Sequence, residues 1–104
     1  MDTPEITEEQ AEALLNWSYA IERVIRRSTA LAIAMNVGRN TLALGQSSVS
    51  HKEYQRRCGV CRRTVDTAVK LLKKHRIIAR VGTSEHGSAI YRANFQSSGA
   101  NALV

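Results

Sequence analysis

Arg63, Thr67, Lys70 and Lys74 recur at intervals of three and four within a stretch, Cys61 to Arg76, that contains neither glycine nor proline. On a helix of 3.6 residues per turn they share one side, while Val65, Val69, Leu72 and Arg76 stack on the other with Ala68 beside them. A row of guanidinium and ammonium groups around a hydroxyl can serve as donors to nucleic-acid edges. Arg63 and Lys70 suit guanine O6 and N7, and Thr67 suits a thymine methyl or a base edge. Thr64 joins this set, and Arg62 and Lys73 fall on the flank, where phosphates would lie. Asp66, between the two faces, can orient an arginine or accept from cytosine N4. An ordinary solvated helix face carries a similar stripe, so the elements around it must decide.

Those elements have an informative order. Ser50 is placed to cap a short helix from His51 to Cys58, with Glu53 at its third position, and Gly59 interrupts it. Arg62 through Arg76 then reads as the second helix. Ile77-Ile78-Ala79-Arg80-Val81 and Ala89 to Phe95 read as strands joined by a seven-residue loop, Gly82 to Ser88. Short helix, glycine turn, longer helix and hairpin form one series. Within it, Gly59-Val60-Cys61-Arg62-Arg63-Thr64-Val65-Asp66-Thr67-Ala68-Val69-Lys70-Leu71-Leu72 resembles the recognition-helix portion of bacterial and phage winged helix-turn-helix regulators and replication proteins. The resemblance continues through Ile77-Ile78 to Tyr91. It implies an α+β, mainly α fold, a winged helix-turn-helix with an added N-terminal helix, whose segment from about 61 to 75 enters the major groove of double-stranded DNA. Arg56, Arg57 and Lys52 on the first helix are then expected on the phosphate backbone. Arg80 and Arg92 stand near the base of the wing, and His86, in a tip without Lys or Arg, is its candidate phosphate contact.

The N-terminal third supplies the rest of the core. Thr7-Glu8-Glu9-Gln10 carries a capping box, with Ile6 before it. Leu14, Trp17, Ile21, Val24 and Ile25 follow at helical spacing, continued by Leu31, Ala32 and Met35. A break is expected near Arg26-Arg27-Ser28-Thr29, where a hydroxyl caps a second helix running to about Val37 and stopped by Gly38. Residues 38–50, polar and turn-rich around Leu42-Ala43-Leu44, read as a loop with a short extended piece. The expected organisation is residues 1–27 as an N-terminal dimerisation helix, 28–95 as the DNA-binding domain and 96–104 as a flexible tail. Leu14, Trp17, Ile21 and Val24 are the expected dimer face, giving a homodimer whose recognition helices meet half-sites about one helical turn apart.

Charge and composition narrow the function classes. The net charge of +6 divides into −6 over residues 1–22 and +12 from Arg23 onward, a balance suited to a polyanion. The richest apolar stretch, Ala30 to Val37, is too short to span a membrane. The acidic start Met1-Asp2-Thr3-Pro4-Glu5 is unlike a secretory signal, so a cytoplasmic protein is expected. Cys58-Gly59-Val60-Cys61 is a CxxC, but His51, His75 and His86 lack a paired spacing that would complete a zinc site. No metal or other cofactor is expected. Cys61, at a helix start beside Arg62 and Arg63, leaves a thiol redox role as an alternative. No nucleophile elbow, phosphate loop or HExxH motif points to an enzyme. The function expected is sequence-specific DNA binding by a homodimeric transcriptional regulator. A plasmid or phage replication or partition factor, and a winged-helix protein-interaction module, are the alternatives.

Overall fold

The computed structural model describes residues 5–95, so the expected tail from Gln96 lies outside the described residues. Four helices and a hairpin follow in order: α1 (Glu8–Val24), α2 (Ser28–Leu44), α3 (His51–Cys58), α4 (Arg62–Lys74), β1 (Ile78–Thr83) and β2 (Ala89–Ala93). The fold is mainly helical, with one small antiparallel sheet. Among the described residues no helix is long and apolar enough to cross a membrane.

Local chemistry sets most of the helix ends. At α1 the Thr7 hydroxyl accepts from the Gln10 amide at 3.1 Å and the Gln10 side chain accepts from the Thr7 amide at 2.9 Å, so two otherwise orphaned N–H groups are satisfied. Ser50 caps α3 by accepting from the Glu53 amide. Gly59, at φ 65°, ends α3 in a left-handed conformation that costs a glycine little, and the chain turns directly into α4. At α2 the expected hydroxyl cap is absent: Arg27 occupies the cap position and Ser28 is already helical.

The largest departure from the sequence reading is Gly38. It does not end α2, which runs six residues further to Leu44 before Gly45 closes it. Gly38 is instead the notch where α1 crosses α2. A Cβ there would lie 2.6 Å from Trp17 Cζ3 and 2.7 Å from Leu14 Cδ1, and its absence lets the two side chains reach the α2 backbone. The segment expected as a loop around Leu42 is therefore helix, and the extended piece of 38–50 is at Ser47. Ser47 bridges Tyr91 of β2 with amide-to-carbonyl bonds of 2.7 and 2.8 Å, a short third strand in effect.

A second departure lies at the end of α4. The helix stops at Lys74, two residues before Arg76, which adopts φ 58° and is exposed rather than stacked on the core face. The Ile77 amide bonds the Leu72 carbonyl and the Arg76 amide bonds the Lys73 carbonyl, the two bonds of a Schellman turn. Ile77 is then buried and the chain reverses into β1. The hairpin pairs Ile78 with Ala93, Arg80 with Tyr91 and Thr83 with Ala89, with a bulge between Arg80 and Gly82.

One core joins all of these elements. Leu14, Trp17, Ile21 and Ile25 of the N-terminal region pack with Ile33, Val37, Tyr54, Val65, Val69, Leu72, Ile77, Ile78 and Tyr91. This corrects the expected dimer face. Leu14, Trp17 and Ile21 are at most 4% exposed within their own chain, because α2 needs an apolar face against it, and only Val24 of the four is exposed. A buried polar strap reinforces the middle of the molecule. Asn40 donates to the Ser47 hydroxyl at 2.9 Å, and the Tyr54 hydroxyl donates to Asn36 at 2.7 Å, tying α2 to the 47 bridge and to α3.

Candidate nucleic-acid interface

α4 is held by one face and open on the other. Val65, Ala68, Val69 and Leu72 are buried, whereas Arg62, Arg63, Thr64, Thr67, Lys70, Lys73 and Lys74 are exposed. The crest expected from helical spacing, Arg63, Thr67, Lys70 and Lys74, is thus outward-facing. On one flank, Arg62, Asp66, Lys70 and Lys73 border an open groove of about 1110 Å³, whose other walls are the first turns of α3, including His51 and Lys52, and the hairpin residues Arg80 and Ser88. On the other flank, Arg63, Thr64 and Thr67 share a smaller concavity with Arg27, Ser28 and Thr29 at the start of α2.

Three side chains join the groove's walls. His51 Nδ1 lies 2.9 Å from Asp66 Oδ1, and Nε2 lies 2.9 Å from the Tyr91 hydroxyl. A carboxylate only accepts, so Nδ1 donates to Asp66, and Nε2 pairs with the Tyr91 hydroxyl. The His51 and Tyr91 rings are near-parallel, 6.0 Å apart. This bond series ties α3 to α4 and to β2, fixing the helix that carries the donors against the hairpin. Burial raises the Tyr91 phenol above its ordinary pKa, keeping it a hydroxyl donor. Asp66 also faces Arg62 at 3.8 Å, so its expected arginine partner is present, together with a histidine that spacing alone did not suggest.

Several other expected contacts are engaged elsewhere. The Glu53 carboxylate takes two bonds from Arg56, at 2.9 and 2.6 Å, and one from Arg57 at 2.8 Å. Those bonds, Arg56's first, hold the Glu53 carboxyl at about 2, well below its usual range. Arg56 and Arg57 therefore meet any phosphate as a partly neutralised cluster rather than as two independent cations. Arg92 donates to the Gly45 carbonyl at 3.1 Å and so secures the C-terminal end of α2, outside the α4 groove. His86 faces the end of α2 and the start of α3 with Asn40, Gln46 and Ser48, also away from α4. Arg80 stays on the groove but bonds Thr83 Oγ1 at 2.9 Å within its own hairpin.

Cys61 occupies the α4 cap position without a side-chain bond to the helix backbone. Its thiol lies 3.3 Å from the Thr64 hydroxyl, which lowers the thiol's pKa. Cys58 is half-buried and both thiols are free. Among the described residues no three His, Cys, Asp or Glu side chains converge as a metal ion would require. Comparison with protein-family models, with curated proteins and with solved structures finds no match for this chain.

Proposed function

We propose that the chain binds double-stranded DNA sequence-specifically as a winged helix-turn-helix protein, in the manner of a transcriptional regulator. In this reading α3, Gly59 and α4 form the helix-turn-helix, Ser47 with β1 and β2 forms the winged sheet, and α4 lies in the major groove. The observation that carries it is the two-sided character of α4: four outward donors backed by four buried apolar residues. Thirteen residues make a rod about 20 Å long, enough to follow a groove about 12 Å wide. Arg63, Thr67 and Lys70 face base edges, Lys74 extends the same line, and Arg62, Lys73 and Lys52 meet phosphates. The acidic α1 lies outside this face, which suits a surface turned away from a polyanion.

The test is affinity for a random duplex and for a site selected from a randomised pool, measured between about 50 and 200 mM salt. Binding to both is expected, tighter to the selected site. Arg63→Ala narrows the gap between them, whereas Lys73→Ala weakens both alike. No binding at about 10 µM protein in 50 mM salt, where a non-specific binder of this charge would bind, rejects the proposal.

A further inference from the structure

We infer that the solvent face of α1 is a self-complementary docking surface, and that its partner is α1 of a second copy of this chain packed antiparallel about a twofold axis. With Leu14, Trp17 and Ile21 buried against α2, the opposite face presents Ala11, Leu15 and Tyr19, one turn apart from each other. Leu15 is 47% exposed and Tyr19 is 51% exposed, among the few large apolar side chains left on the surface. Val24, the exposed residue expected to contribute, lies on another side of the helix by its spacing and takes no part.

The charges select the partner. Glu8 and Glu12 stand before Leu15, Arg23 stands at the end of α1 and Arg26 in the turn after it, all exposed. None of the four forms an ion pair among the described residues. A helix end that is acidic at its start and basic at its finish complements a reversed copy of itself and repels a parallel one. Helical register sharpens the point. With the axis midway between Leu15 and Tyr19, Leu15 of each copy meets Tyr19 of the other, and Glu12 comes within about one residue's rise of Arg23. At 100° per residue Glu12 and Arg23 also lie on the same flank of the ridge, and a twofold axis of this kind brings like flanks together. Glu22, on the other flank, meets Ala11; the second copy's Glu12 is level with it but lies across the ridge, on the flank of Arg23.

The ridge is narrow, so the interface falls at the small end of specific contacts, with an expected dissociation constant on the order of tens of micromolar. Sedimentation velocity without DNA, from about 2 to 200 µM, reads it independently of nucleic-acid binding. The expected result is a reversible shift from the 11.5 kDa chain to twice that mass. Leu15→Glu weakens the dimer by roughly tenfold or more, with the helical circular dichroism unchanged because the site is exposed. Glu12→Arg and Arg23→Glu each weaken it by roughly threefold or more, and the double exchange restores it, since the new charges again face opposites. A monomer at every concentration overturns the inference, whether the face stays open or the chain's own ends cover it. So does a dimer indifferent to Leu15→Glu, or one in which the double exchange fails to restore association.

Discussion

Replacing Gly38 with alanine sets two known effects against each other, and the structure decides between them. In an ordinary helix interior the change is favourable by about 0.5–1 kcal/mol, because alanine loses less backbone freedom on folding. Here the new Cβ would stand 2.6 Å from Trp17 Cζ3, 2.7 Å from Leu14 Cδ1 and 3.1 Å from Trp17 Cε3. Neither neighbour can swing into solvent. Trp17 is 2% exposed and its ring meets Phe95 edge-on at 4.9 Å, while Leu14 sits in the same core. Relief requires α1 to move outward, an overpacking cost of about 1–3 kcal/mol. The net expectation is a loss of about 1–2 kcal/mol, or roughly 5–10 °C in Tm for a domain of this size. Urea titration of Gly38→Ala beside Ala32→Gly, the reverse exchange at an exposed site of the same helix, measures both terms. If Gly38→Ala instead gains stability by about the amount that Ala32→Gly loses, the helices do not cross closely at Gly38 and the account of α1 packing fails.

Other expectations follow from single groups. Burial raises the Tyr54 phenol from 10.0 to about 12, so above pH 10 the unfolded chain ionises first. Stability is therefore complete below pH 10 and falls between pH 10 and about 12, by up to about 3 kcal/mol, with Tyr54→Phe flattening that fall in urea midpoints taken across this range. Arg76, the one described non-glycine residue at positive φ, is exposed at the turn after α4; Arg76→Gly should raise the urea midpoint by the equivalent of about 1 kcal/mol. His51→Ala removes both bonds, leaving Asp66 to Arg62 and solvent and the Tyr91 hydroxyl without its partner, and should cost about 1 kcal/mol. Tyr91→Phe should cost about 1 kcal/mol and add little to the first change, a coupling that a double-mutant cycle reads directly.

Features determined within a few residues were legible in the sequence. The capping box at Thr7, the Ser50 cap, the Gly59 turn and the alternation of donors and apolar residues on α4 depend on neighbours one turn away. Gly38 shows where that legibility ends. A glycine that stops a helix and one that lets another helix cross it look alike along the chain, and here the distinction is made by Trp17, 21 residues earlier. The extended piece expected within 38–50 had no definite position for the same reason: Ser47 is extended because Tyr91 bonds it, and nothing adjacent to Ser47 says so. His51 finds its partners 15 and 40 residues away. The grip of Glu53 on Arg56 and Arg57 is different, since i, i+3 and i, i+4 spacing displays it openly and only the count of positive charge obscured it.

That count also overstates what can reach a phosphate. Twelve net positive charges from Arg23 onward suggest an almost uniformly sticky surface, yet bonding removes several from consideration. Arg56 and Arg57 share Glu53, Arg92 serves the end of α2, and Arg80 is bonded within the hairpin. Lys52, Arg63, Lys70, Lys73 and Lys74 make no hydrogen bond or ion pair among the described residues, and Arg62 is restrained only by Asp66 at 3.8 Å. If those six supply the contacts, the slope of log affinity against log salt should be about −5 per chain, from roughly 0.9 per phosphate neutralised. A slope near −10 for a single chain would mean that cations away from α4, such as Arg23, Arg26, Arg27 and Arg76, or the bonded arginines also reach phosphate, and that position on α4 matters less than total charge. A slope near −5 that falls by about one unit in Lys73→Ala would instead make the exposed side of α4, rather than the basic body as a whole, the surface that meets DNA.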